Sequence, residues 1–290
     1  MKLTQLQKSK SHRVLLFGAP KSGKTQLAGE LSKEYNLIWF DLEKGVDTLL
    51  KLPVSQQERI EVISIPDTRS FPIAIETMLK VIKGGKNEIC EEHGKVGCML
   101  CKKENKPFST VELGTLGLDT VVIVDSLTQL TNSAISFITR NQPDDYKLNY
   151  DDWGNLGKLM DTFLSHVQQA PFNVVCISHE TEVEMEDGRQ KLVPTAGTRN
   201  FSRNTAKYFD EVVYCEVKNK KHIAASSTLY SGNILTGSRT GAVLESVSEA
   251  SLVPIFKGEI KGTVTGTTPA TTAVTNLSKL SASLGAKKNV

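Results

Sequence analysis

Eight consecutive residues, Gly18-Ala19-Pro20-Lys21-Ser22-Gly23-Lys24-Thr25, fit the pattern G-x-x-x-x-G-K-[ST] at every defined position. Glycines at the two fixed positions let the backbone wrap tightly and turn its N–H groups toward phosphate oxygens. Lys24 is expected to reach the β and γ phosphates of a nucleotide, and Thr25 to ligate Mg²⁺. With Gln26 following, positions 18–26 are the expected nucleotide contacts. The plain alternative is a glycine-rich turn without a ligand. Two acids complete the set. Asp125 closes the apolar run Val121-Val122-Ile123-Val124, where a carboxylate can hold the magnesium through a water; the competing role is a cap for the next helix. Glu43 follows the run Leu37–Phe40, where a carboxylate can orient and deprotonate an attacking water. Asp41 is a rival for that role, and a surface acid at a strand end is the bland reading.

A second cluster is independent of the first. Cys90-x-x-His93-x4-Cys98-x-x-Cys101 places four ligands within a dozen residues. Two close pairs around a short loop suit tetrahedral Zn²⁺, and with all four positions filled by protein the site would be structural. A redox switch or a chance cluster are the rivals. Cys176 and Cys215 fall in apolar strand-like runs and read as small core residues.

The elements that must position these residues follow from periodicity. Val14–Phe17 reads as a buried strand ending at the glycine loop, and Lys24 to Tyr35 as a helix. Strands are expected at Leu37–Phe40, Ile60–Ile65, Val121–Val124, Asn173–Ser178, Val212–Val217, Ile223–Ser226 and Leu229–Tyr230. Ser70 is placed to cap a helix through Ile75 and Ile82; further helices are expected at Leu127–Ile138 and around Leu156–Val167. Residues 180–204 read as a long polar stretch with a turn at Glu186-Asp187-Gly188. Alternating strands and helices imply a parallel sheet covered on both faces, with ligands at the carboxyl ends of the strands. Gly18, Glu43, Asp125 and His179 all fall at such ends. The expected fold is therefore α/β, a P-loop NTPase. A basic arm spans 1–12, the core 13–83 and 119–250, the zinc-binding insertion 84–118, and a disordered tail 254–290.

A chain of 290 residues is long enough for one large domain and a tail. A hydrophobic fraction of 39% and a charged fraction of 23% are ordinary for a globular protein. A net charge of +3 does not itself signal nucleic acid, so any DNA surface must be local. No apolar run has the length to cross a bilayer, and the basic start MKLTQLQKSKSHR lacks the apolar stretch of a secretory signal. A cytoplasmic protein with no membrane partner is expected, its cysteines serving as thiols or metal ligands.

The segment Phe40-Asp41-Leu42-Glu43-Lys44-Gly45-Val46-Asp47 resembles the RecA stretch that carries a catalytic glutamate, and Val121-Val122-Ile123-Val124-Asp125-Ser126-Leu127 resembles the RecA Walker B strand. The GAPKSGKT loop, the Asp41-x-Glu43 strand end, VDSLTQLT, the WGNLGKL helix start and the ISHE strand end are together similar to phage-encoded Sak-four-type single-strand annealing proteins, which have a minimal RecA core. The resemblance covers about residues 12–250. It implies a RecA-like ATPase that binds ATP and Mg²⁺, with Glu43 as the catalytic glutamate and His179 as a phosphate sensor, where RecA itself uses glutamine or asparagine. It implies a homo-oligomer, filament or ring, in which a basic residue acts across the subunit boundary; Arg239 is the candidate. It also implies DNA-contacting loops near 140–152 and 181–204. The second carries Arg189, Lys191, Arg199, Arg203 and Lys207, which can neutralise backbone phosphates without reading sequence, and Phe201, a candidate for base stacking. Acids at Glu182, Glu184, Glu186 and Asp187 dilute that charge, and the bland reading is a solvated face. The expected activity is ATP-dependent handling of single-stranded DNA in annealing or recombination, with a single-strand-binding protein as a further partner and the host cytoplasm as the location. The alternatives are a non-catalytic nucleotide switch that recruits partners, or a strand-exchange or helicase-like motor.

Overall fold

The computed structural model describes residues 11–227, 231–239 and 250–257. Residues 1–10 of the basic arm, the strand expected at 229–230, positions 240–249 of the expected core and positions 258–290 of the tail lie outside the described residues. Among the described residues the chain runs β1 (Arg13–Gly18), α1 (Lys24–Gly29), β2 (Asn36–Asp41), α2 (Val54–Gln57), β3 (Ile60–Ser64), α3 (Ala74–Val81), β4 (Lys86–Cys90), α4 (Met99–Lys103) and β5 (Phe108–Glu112). It continues through β6 (Thr120–Asp125), α5 (Leu127–Thr139), α6 (Tyr150–Gln169), β7 (Asn173–Glu184), β8 (Gln190–Pro194), α7 (Arg199–Asn204), β9 (Glu211–Lys218), β10 (Lys221–Ala225), β11 (Gly237–Ser238) and α8 (Val253–Phe256).

The main sheet has the order β10-β9-β1-β7-β6-β2-β3. From β9 to β3 its strands are parallel. Among the described residues only β10 and β11 on β9, and β8 on the extension of β7, are antiparallel in this sheet. Apolar runs with both faces buried explain the parallel core. In β1, Leu15 and Phe17 enter one hydrophobic cluster while Val14 and Leu16 enter the other. β2 and β6 split the same way, Phe40, Val122 and Val124 facing one side and Trp39, Val121 and Ile123 the opposite side. The first cluster lies under α3, α5 and α6; the second lies under α1 and α8. No helix among the described residues is long and apolar enough to cross a membrane.

Three expectations change. The expected disordered tail does not start at 254: Ile255 and Phe256 of α8 are buried in the second core cluster. The polar stretch after Ser178 is not a loop: β7 runs on to Glu184 and pairs with β8, the turn falling at the expected Gly188, whose φ is +77°. Along the extension Glu182 and Glu184 are exposed while Val183 between them is buried, the alternation of a strand with one covered face. The insertion expected at 84–118 adds to the core. Its strands β4 and β5 form an antiparallel pair, and Ile89, Val111 and Leu113 join the first core cluster. Finally, Ser70 does not cap α3. Asp67 does: its Oδ1 accepts from the Ala74 N–H at 2.8 Å and from the Ser133 hydroxyl at 2.9 Å, which ties α3 to α5. An aspartate reaching back from outside the helix does the work that sequence spacing gave to serine. Asp67→Ala should therefore lower stability by about 1–3 kcal/mol while leaving ATP affinity unchanged; urea unfolding and a binding titration check the two halves.

Candidate nucleotide and metal sites

Each chemical residue of the first motif sits where a strand stops. β1 ends at Gly18, whose φ of +152° and whose contact with the Cys215 carbonyl oxygen, 2.0 Å from where a Cβ would lie, admit only glycine. The chain then curls through Lys21, at φ +64°, to Gly23, which starts α1 in a left-handed conformation. Lys24 is 5% exposed. Its ammonium donates to the carbonyls of Gly18 at 2.9 Å and Ala19 at 2.8 Å, so it stands across the mouth of the loop. Burial lowers its pKa, and the nearby Asp125, Glu43 and Glu180 oppose that shift.

Parallel pairing sets the acids beside it. In the β2–β6 register Asp41 lies opposite Asp125, and the Leu42 N–H donates to the Asp125 carbonyl at 2.8 Å, which brings Glu43 to the same rim. Asp125 is 4% exposed and accepts from the Thr25 hydroxyl at 3.2 Å. Burial, reinforced by the charges of Glu43 and Asp41, pushes its carboxyl up to about 7. Burial also pushes Glu43 up, but hydrogen bonds from His179 and Ser126 and the charges of His179 and Lys24 outweigh it, and its pKa falls below the ordinary value. His179 Nε2 lies 3.4 Å from Glu43, and the Ser126 hydroxyl donates to the other oxygen of that carboxylate. Asp41, the rival, accepts from the Gly45 N–H at 3.1 Å and shapes the turn behind Glu43. Burial raises its pKa as well.

A cavity of about 930 Å³ joins these groups. Residues 20–26, Glu43, Asp125 and His179 line it, while Asp41 does not. Glu43 and Asp125 beside the Lys24 ammonium, the second a buried acid whose ionisation is costly with a hydroxyl next to it, are a hard-oxygen donor set that fits a magnesium ion held by Thr25 and Asp125.

The second cluster also converges. The ligand atoms of Cys90, His93, Cys98 and Cys101 all lie within 4.8 Å of one another, with His93 Nδ1 3.1 Å from Cys101 Sγ. Tetrahedral zinc holds its sulfurs about 3.8 Å apart, so the group fits. The Cys101 N–H lowers the Cys98 thiol, whereas burial and the neighbouring thiols raise Cys101. The loop is anchored on the core through the Thr77 hydroxyl, which donates to the Gly94 carbonyl at 2.9 Å.

The remaining expected residues do not all join the first site. Arg239 follows β11, which pairs with β9 at Glu211 and Val212, beside the start of β1. It is therefore at the opposite rim of the sheet from the glycine loop, its guanidinium donating to the Lys207 carbonyl at 2.8 Å. Arg189 is exposed and engaged by Asp187 at 2.5 Å; Lys191 is half-buried on β8. Arg203 donates to the Glu184 carbonyl, while Arg199 and Lys207 are exposed. Phe201 is half-buried, with its ring stacked on Tyr208 at 6.1 Å, so it is part of the packing and not a platform for bases.

Three side chains escaped sequence reasoning. Ser126 holds Glu43 and caps α5 through the Gln129 N–H at 3.2 Å. Thr128 accepts from the His179 N–H at 2.9 Å. Both lie within three residues of Asp125, which is the signal that marks them. His222 on β10 lines the cavity with no motif to mark it.

A family model described as AAA domain matches residues 10–244. No curated protein matches the chain.

Two outcomes test the sites. Asp125 binds a proton in the folded state up to about pH 7, whereas the unfolded chain releases it near pH 4. The folded state therefore holds more protons between those values, and this group's contribution to stability falls as pH rises through them. Without metal and nucleotide, Asp125→Asn should match wild type in Tm near pH 4 and exceed it by about 2–8 °C at pH 8. Metal analysis should find about one zinc per chain, lost in Cys98→Ser together with thermal stability.

Proposed function

The chain belongs to the AAA domain family of P-loop ATPases, and from that premise we propose that it couples ATP turnover to holding single-stranded DNA, in the manner of the phage single-strand annealing proteins it resembles. One observation carries the reading. β7 is a single strand from the sheet core, through His179 beside Glu43, to Glu184 next to the turn of the β7–β8 hairpin. A change at the γ-phosphate end of that strand is thus mechanically joined to the hairpin and to the basic residues that follow it.

The loop N–H groups and Lys24 hold the phosphate chain, and the positive end of α1 adds to that attraction. Bound by Thr25 and Asp125, magnesium would neutralise charge on the phosphates during transfer. Glu43, ionised because its pKa is held low, is placed to take a proton from a water attacking the terminal phosphate, giving ADP and inorganic phosphate. Ser126 and His179 fix its two oxygens, and His179 is positioned to register the loss of the phosphate. Arg199 and Lys207, the exposed cations after the hairpin, supply phosphate-backbone contacts that read no sequence. Arg239, at the opposite rim, would serve only a neighbouring subunit, which fits a homo-oligomer.

Steady-state hydrolysis, measured with and without single-stranded DNA, tests this. Glu43→Gln should lower kcat by about 100-fold or more and leave ATP binding intact. Single-stranded DNA should raise the wild-type rate. Arg199→Ala and Lys207→Ala should each weaken DNA binding uniformly across sequences and reduce the salt slope by about 1. A rate indifferent to DNA would favour a nucleotide switch that recruits partners.

A further inference from the structure

One wall of the nucleotide cavity is unexplained by any motif. Among the described residues β10 is the edge strand of the sheet, and His222 on it pairs with Val217 of β9. His222 Nδ1 lies 3.1 Å from the carbonyl oxygen of Ser22, a residue of the glycine loop two hundred positions earlier in the chain. A carbonyl only accepts, so Nδ1 carries the hydrogen and donates it. The same ring covers Gly23, where a Cβ would stand 2.8 Å from Nδ1. At the other end of the loop, Gly18 rests on the Cys215 carbonyl of β9. Both ends of the loop are therefore seated on the β9–β10 edge.

The peptide joining Ser22 to Gly23 is what His222 holds. In a trans peptide the C=O and the following N–H point in opposite directions. Drawing the Ser22 carbonyl toward β10 turns the Gly23 N–H away from it. A flipped peptide would instead present an oxygen where an anion must sit, and the anion would be repelled. We infer that His222 is a positioning residue of the nucleotide site: by donating Nδ1–H to Ser22 it fixes the Ser22–Gly23 peptide with its N–H available to the phosphate chain of a nucleoside triphosphate. The inference rests on the nucleotide reading of the cavity. It adds a residue that lies outside the glycine-rich motif and acts through the loop backbone, not on the reacting atoms.

Because the effect is on phosphate and not on the nucleoside, ATP and inorganic tripolyphosphate should respond alike. Calorimetric titration of the full chain with each, in magnesium, is the test. His222→Ala should weaken both by the same factor, about 3–10-fold, the worth of one hydrogen bond. His222→Asn, whose amide N–H falls near the position of Nδ1, should restore both, and His222→Gln, whose amide sits one carbon farther out, should not. The side chain is exposed, and thermal unfolding of each variant verifies that the fold is kept. If wild type binds both ligands and His222→Ala binds tripolyphosphate as tightly as wild type, the inference is overturned and the nucleotide site stands. Equal failure of the Asn and Gln variants also overturns it. If wild type binds neither ligand, the nucleotide reading itself has failed and takes the inference with it.

Discussion

The structure depends on an imbalance of charge at one rim of the sheet. Glu43 and Asp125 face the Lys24 ammonium, Asp41 stands close behind them, and Asp41 and Asp125 are almost completely buried. Such an arrangement is costly in isolation, since each carboxylate raises the energy of the next. It becomes favourable when a divalent cation and a polyanion arrive together, because the cation satisfies the acids while the lysine and loop amides satisfy the anion. The burial that makes Asp125 reluctant to ionise is the burial that strengthens its hold on a metal.

The fold supplies this imbalance through strand direction. Parallel strands present all their carboxyl ends on one side, so β1, β2, β6 and β7 deliver the loop, Glu43, Asp125 and His179 to a common place. Local contacts then refine it: Asp41 shapes the turn that carries Glu43, Ser126 caps α5 and holds the same glutamate, and Thr128 fixes the backbone of His179. The zinc-type cluster stands apart from this chemistry. It closes a small hairpin whose apolar side chains complete the core beside α3, which gives it a structural place in the molecule.

Much of this was legible in the residues. The glycine-rich loop has a fixed spacing because phosphate geometry is fixed, and the apolar runs before Gly18, Asp41 and Asp125 are too short and too continuous for surface helices. The spacing of Cys90, His93, Cys98 and Cys101 was equally open, since four ligands must converge on one point. The failures share a cause. The few apolar residues of the hairpin strands, Val183, Leu192 and Val193, are buried or half-buried but set among charged and polar neighbours, so β7 and β8 beyond Ser178 read as a loop. Asp67 gives no local sign of capping α3 because its bond comes from a position several residues outside the helix, and Phe201 reads as free because its partner Tyr208 lies across a further turn. His222 and Arg239 owe their places to how β10 and β11 pair with β9, and pairing partners are not written in local sequence.

Calorimetric titration of ATP into wild type and Lys24→Ala, each with and without magnesium, tests the account most directly. Wild type should show tight binding that requires the metal, and the variant should lose it. Affinity that is indifferent to magnesium, or undiminished without the lysine, would mean that the acids and the ammonium at the sheet's rim do not form a nucleotide site.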